Sequence, residues 1–380
     1  MKALPPQVMA LFKILAGAQP PAHFSEADWQ ALIEFADRTQ LTLHLRGAPG
    51  VPDEFRRQVE LRFSRNTRRR ERIKGEFSEL KRTLETNKIE FIVLKGATHE
   101  AGFGISGEAR VQYDIDLLCP RADEVRQALC AAGYAPHGEE SLSDEHSRPL
   151  VKPNDWVWRN DYFDPDMPIA VEIHESLWNP KRDRISVRGL DDFRERCCTL
   201  MDVEPSVPAF AEPDRLGFAA IHALRHILRN DSRPASVYEL ARFLETRRSD
   251  GEFWSSWRRL HPQALRTLER IAFRFAAEWF GVALPEAAAE PLPDNIERWF
   301  HRFAWSPIAN LISPNKDVLW LHAELTERFS DRMAVLRERL LPLRMPHHQE
   351  AAPYRQRLLD RARYHATGSA SALASGVRWW

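Results

Sequence analysis

Residues 94–118 read LKGATHEAGFGISGEARVQYDIDLL, and the last five decide how this part of the chain folds. Asp114 and Asp116 alternate with Ile115 and Leu117. A period of two is that of a half-buried strand, with both carboxylates on one face and both aliphatic side chains on the other. Carboxylates two apart on a strand lie about 7 Å from each other and repel. Beside a core they are costly unless something positive compensates them. Magnesium or manganese is a natural compensator, because a hard cation takes oxygen ligands and shares them with phosphate. Two such ions about 4 Å apart clamp an in-line phosphoryl displacement. A turn or a salt-bridged edge would also contain the D-x-D pattern, so the neighbouring residues must decide.

They point the same way. The run KIEFIVLKG (88–96) is short, β-branched and aromatic, and it ends on Lys95 and Gly96, where an ammonium and a closely approachable backbone would meet a polyphosphate. Arg110, four residues before Asp114, offers a guanidinium fork suited to phosphate oxygens. A third acid is expected from another strand, and VEIHE (171–175) supplies Glu172, with Val171 and Ile173 on the opposite face and His174 on its own. His174, His222 and His226 are read as outer groups that orient the ligands. His222 and His226 sit one turn apart on an apolar helix, and rings packed under the site explain them as well as phosphate contact does. No HExxH occurs, so zinc hydrolase chemistry is not expected.

Around this unit the texture is helical. Pro5 and Pro6 open an apolar series at Val8, Leu11, Phe12 and Leu15. Ser25 and Asp28 form a capping box with Asp in place of Glu, followed by Trp29, Leu32, Ile33 and Ala36. Residues 54–86 read as a long helix whose basic middle, SRNTRRRERIKG, is taken as a solvated charged face rather than an RNA-binding surface. DEVRQALCAAGY (123–134) predicts a helix closing on Gly133, and WVWRNDYF (156–163) and PIAVEIHESL (168–177) predict strands separated by the turn DPDMP. From Pro213 onward helices return, and their tryptophans fit packing better than base stacking. The expected organisation is a helical region over 1–86, an α+β core over 87–205, a helical subdomain over 206–290, and a helical extension over 291–380 ending in a flexible tail.

The ordered set LKG, R-x-x-x-DIDLL and E-x-H resembles the uncharacterised nucleotidyltransferase family of the DNA-polymerase-β-like superfamily, from about Ser25 to Pro285. The resemblance implies a small mixed β-sheet of the polymerase-β palm type. It implies Asp114, Asp116 and Glu172 as metal-binding and catalytic acids, and Lys95 and Gly96 in the turn that holds the nucleotide phosphates. Ala97 stands where the superfamily usually has serine, so Thr98 is the candidate to replace that hydroxyl. Glu239 stands where relatives often have aspartate.

Metal-dependent transfer of a nucleotidyl group from an NTP, with ATP the expected one, to a hydroxyl or phosphate of a small molecule, peptide or protein is therefore expected. The alternatives are kinase-like attack at the γ-phosphate and a non-catalytic nucleotide- or peptide-binding module. Lys and Arg together number 54, equal to Asp and Glu, so net charge gives no case for nucleic acid as a partner. Nine of those 54 are lysine and the other 45 arginine, which makes Lys95 harder to dismiss as filler. Four cysteines without a CxxC pair fit a reducing cytoplasm, and no apolar run long enough for a membrane span is present.

Overall fold

The computed structural model describes residues 3–100, 102–137, 148–203, 205–340, 366–370, 372–374 and 376. Three helices lead: α1 (Pro6–Leu15), with Pro6 in its first turn; α2 (Glu26–Arg38), opened by the Ser25–Asp28 capping box; and α3 (Asp53–Thr86). Then follow β1 (Ile92–Val93), α4 (Ala97–Glu100), β2 (Asp114–Leu118), α5 (Ala122–Ala131), β3 (Ala135–Pro136), β4 (Leu150–Val151) and β5 (Ala170–His174). After α6 (Pro180–Asp183), the hairpin strands β6 (Cys197–Leu200) and β7 (Val207–Phe210) lead to α7 (Glu212–Leu228), α8 (Pro234–Thr246), α9 (Gly251–Leu260) and α10 (Gln263–Phe280). The last described helices with full bounds are α11 (Asp294–Phe303), α12 (Ser306–Asn310), α13 (Val318–Glu324) and α14 (Phe329–Leu340).

The architecture is α+β with a small mixed sheet of order β1-β2-β5-β4-β3. Among the described strands only the pair β2 and β5 is parallel. One face of this sheet is apolar. Val93, Ile115, Leu117, Val171 and Ile173 pack there with Ile73, Phe77, Leu80 and Leu84 of α3 and with Val125 and Leu129 of α5. Leu94 and Leu118 belong instead to the larger core built by α7, α8, α10 and the leading helices. Phe12 of α1 reaches into that core, with ring centroids 5.3 Å from Phe280 and from Trp305. Trp254, Trp257, Trp279, Trp299 and Trp320 are buried in helix packing, as their spacing predicts. All four cysteines are free, and no helix among the described residues is long and apolar enough to cross a membrane.

Three local expectations change. WVWRNDYF forms no strand: Asn160 takes a left-handed φ of 57°, Trp156 Nε1 donates to Asp164 Oδ2 (2.9 Å), and the rings of Trp156, Trp158 and Tyr162 pack edge to face on one another. The basic middle of α3 is not simply solvated, since Asn66 and Arg69 are buried. Of the segment taken as a flexible tail, GSASALASGVRWW (368–380), residues 368–370, 372–374 and 376 are helical, and Ala372 packs with Leu319 and Val335. Trp379 and Trp380 lie outside the described residues.

Candidate active site

In the parallel register Asp116 stands opposite Glu172 and Leu118 opposite His174. Opposed residues of neighbouring strands share a face, so Asp114, Asp116, Glu172 and His174 all project from the side turned toward α7. One ligand atom each from Asp116, Glu172 and His174 falls within 4.8 Å of the others. Asp114 is outside that tight group, at the leading end of β2, half-buried. More than fifty residues of chain separate the two acids of this group, and only strand pairing brings them together.

The compensation that Asp116 requires is visible. Lys95 Nζ and His174 Nε2 each lie 3.0 Å from Asp116 Oδ1. Burial would raise this carboxyl, but Lys95 and His174 outweigh it and hold the group far below the usual carboxylate range. Glu172 is left with the opposite fate. Burial, then Asp114 and Asp116, push its carboxyl up to about 8, and Lys95 and Arg233 pull it back only in part. The face therefore carries more negative charge than its own cations neutralise. Its donor set of carboxylate oxygens with one imidazole suits magnesium or, because of the nitrogen, manganese.

Behind Lys95 lie the two histidines of α7. His222 Nε2 is 3.4 Å from Lys95 Nζ and 3.2 Å from His226 Nε2, and His226 Nδ1 is 3.1 Å from Asp231 Oδ2. Burial first, then Lys95, hold His222 well below its ordinary value; burial and Arg233 hold His226 at about 3. Both rings are therefore neutral at pH 7.

Three residues expected at the phosphates are otherwise engaged. Arg110 Nε donates to Glu239 Oε1 (2.8 Å), and His99 Nδ1 lies 2.6 Å from Glu239 Oε2. Burial would raise Glu239, but Arg110 and His99 outweigh it and hold it at about 2. Arg110 is thus half of a buried ion pair. Thr98 is fully buried, and its hydroxyl donates to Leu94 O (3.4 Å). Gly96 takes a φ of 71°, and a Cβ there would stand 2.5 Å from Gln112 Nε2. The left-handed φ is what favours glycine here, and the Gln112 carboxamide, which donates to Asp114 O (2.7 Å), lies over it.

Sequence reading misses Arg69. Its side chain is fully buried and makes no ion pair among the described residues. It donates instead to backbone carbonyls: Nε to Gln112 O (2.9 Å), Nη1 to Met167 O (2.9 Å) and Asp164 O (3.4 Å), and Nη2 to Pro168 O (3.3 Å). Asn66, one turn earlier, donates to Glu108 O and Arg110 O. Together they fix the segments that lead into β2 and β5, the two strands bearing the acids. The signal was available in principle, since residues 66, 69, 73, 77, 80 and 84 form one helical stripe and only the first two are polar.

A family model described as "Uncharacterised nucleotidyltransferase" matches residues 25–281. The chain belongs to this family. No curated protein and no solved structure gives a significant match. The uncharacterised nucleotidyltransferase match spans the leading helix α2, the sheet with its acids, and α7 to α10, so site and family coincide in the chain. Family membership makes the protein a transferase of the nucleotidyl-transfer class.

Proposed function

We propose that this protein transfers a nucleotidyl group from an NTP, with ATP the first to test, to a hydroxyl or phosphate of a small-molecule, peptide or protein acceptor, in a magnesium- or manganese-dependent reaction on a sheet of the polymerase-β palm type. The single observation that carries the reading is the β2–β5 register, which sets Glu172 against Asp116 on a face with surplus negative charge. Asp114, Asp116 and Glu172 would hold the metal, with His174 orienting Asp116. The bound cation would polarise the α-phosphate and stabilise charge on the leaving pyrophosphate.

The chain's own residues do the rest. Lys95 keeps Asp116 ionised, and its ammonium is near enough to pass to a phosphate oxygen when a cation replaces it at the carboxylate. Glu172 holds its own proton until a cation arrives; once the cation has ionised it, it would be placed to accept the proton of the acceptor hydroxyl. Neutral His222 gives Lys95 a hydrogen-bond acceptor without adding a competing charge.

Reactions run in parallel with α-labelled and γ-labelled ATP and a cell extract as acceptor source test this. Label transferred from α-ATP supports the reading. Label from γ-ATP alone establishes a kinase, and intact nucleotide binding without transfer establishes a binding module.

A further inference from the structure

We propose that Arg233, at the start of α8, is the cation that receives the triphosphate of the nucleotide; this rests on the nucleotidyl-transfer reading above. Both cations that the sequence offers for phosphate are engaged, Lys95 with Asp116 at 3.0 Å and Arg110 with Glu239 at 2.8 Å. A triphosphate brought beside three acids needs more positive charge than Lys95 alone provides. Arg233 has that charge to give. Its side chain is 46% exposed, and the carboxylate nearest to it among the described residues, Asp231, is 3.9 Å away.

Its position ties it to the site. Asp231 Oδ2 lies 3.1 Å from His226 Nδ1, His226 Nε2 lies 3.2 Å from His222 Nε2, and His222 Nε2 lies 3.4 Å from Lys95 Nζ at the Asp116 carboxylate. Arg233 thus stands at the outer end of a continuous line of contacts whose inner end is the acid cluster.

A second observation is independent of charge. Ser232 is only 5% exposed, and its hydroxyl has no hydrogen-bond partner among the described residues. Buried polar groups are rarely left so. The next element, α8, begins without a side-chain cap. An unpartnered hydroxyl and a guanidinium free of hydrogen bonds therefore fall on successive residues, Ser232 and Arg233, and both are donors in want of an acceptor; Pro234, which opens α8, has no N–H to add. A phosphate chain supplies acceptors of that kind. Ser232 would also supply, from just before α8, the hydroxyl that Ala97 cannot give beside Gly96.

The test is calorimetry on the full chain with inorganic triphosphate and with ATP, each in manganese, for wild type, Arg233→Ala, Arg233→Lys, Asp116→Asn and the remote control Arg188→Ala. Arg188 is 70% exposed, and Glu327, at 3.6 Å, is its ion-pair partner among the described residues. The expected result is a loss on the order of tenfold for both ligands in Arg233→Ala, partial recovery in Arg233→Lys, no change in Arg188→Ala, and thermal midpoints equal to wild type. Wild-type affinity in Arg233→Ala, or an equal loss in Arg188→Ala, overturns the assignment. If Asp116→Asn alone abolishes binding, Arg233 is wrong and the nucleotidyl-transfer reading stands. If wild type binds neither ligand, both fall together.

Discussion

Two of the clusters of buried charge among the described residues bear comparison, one around Asp116 and one around His261. His261 sits between two buried acids, with Nε2 3.0 Å from Asp214 Oδ1 and Nδ1 2.7 Å from Glu269 Oε1. Arg196 closes a fork on Asp214 at 2.8 and 3.0 Å, and Trp257 Nε1 donates to Glu269 Oε2 (2.9 Å). Burial would lower His261, but Glu269 and Asp214 outweigh it and raise it to about 9. Two acids thus meet two cations. Around Asp116 three acids share Lys95, with His174 beside it and Arg233 further out, and the Glu172 carboxyl is still raised, by burial first and then by Asp114 and Asp116. A balanced cluster needs nothing from solution and acts as a fastener. An unbalanced one is incomplete until a cation arrives, and that is the mark of a binding site.

This contrast can be broken experimentally. The largest effect is expected at the fastener: His261→Ala leaves Asp214 and Glu269 buried and short of a cation, and urea unfolding should show a loss of about 3–5 kcal/mol. Nucleotide binding, measured on the folded fraction, should not change.

The pH dependence of wild type comes next. The folded ring holds its proton to about 9 against an ordinary 6.5. This contribution is therefore complete below pH 6.5 and disappears as pH rises through 9. Its size is about 3 kcal/mol, and a stability curve that stays flat from pH 6.5 to 9.5 would refute it.

At the acid face Asp116→Asn should weaken manganese-dependent ATP binding by on the order of 100-fold, about 2.7 kcal/mol. Calorimetry reads this directly, and equal affinities would remove Asp116 from the site.

The smallest effect is expected at Glu172, whose folded carboxyl holds its proton to about 8 against an ordinary 4.5. Stability is then fullest below pH 4.5 and erodes as pH rises toward 8. Glu172→Gln should remove that slope and gain about 1 kcal/mol at pH 8, discounted because the side chain keeps 23% of its surface in water. Added manganese should flatten the slope in wild type and leave the variant unchanged.

What could be read from residues alone follows from range. The capping box of α2, the alternation of DIDLL and the face shared by Glu172 and His174 are all local, and each is found as spelled. Partners distant in sequence were not legible. Glu239 pairs with Arg110 across 129 residues, and no pattern near Arg110 announces it. The aromatic run WVWRNDYF misleads because its rings satisfy one another and its indoles find side-chain acceptors, so pairing with a strand is unnecessary. The surface prior on α3 fails at Arg69 for a different reason. A guanidinium surrounded by carbonyls can be buried as an ion, and composition does not distinguish that use from solvation; burial lowers it only to about 10.

The Arg69 staple has a consequence for how the chain divides. Its four carbonyl partners lie 43 to 99 residues further along, and all belong to the segments that feed β2 and β5. The helix before the sheet is therefore part of the sheet's scaffold, and the smallest heritable module that keeps the acids in register must include α3. A fragment starting at residue 87 would carry every acid and still lack the part that aligns them.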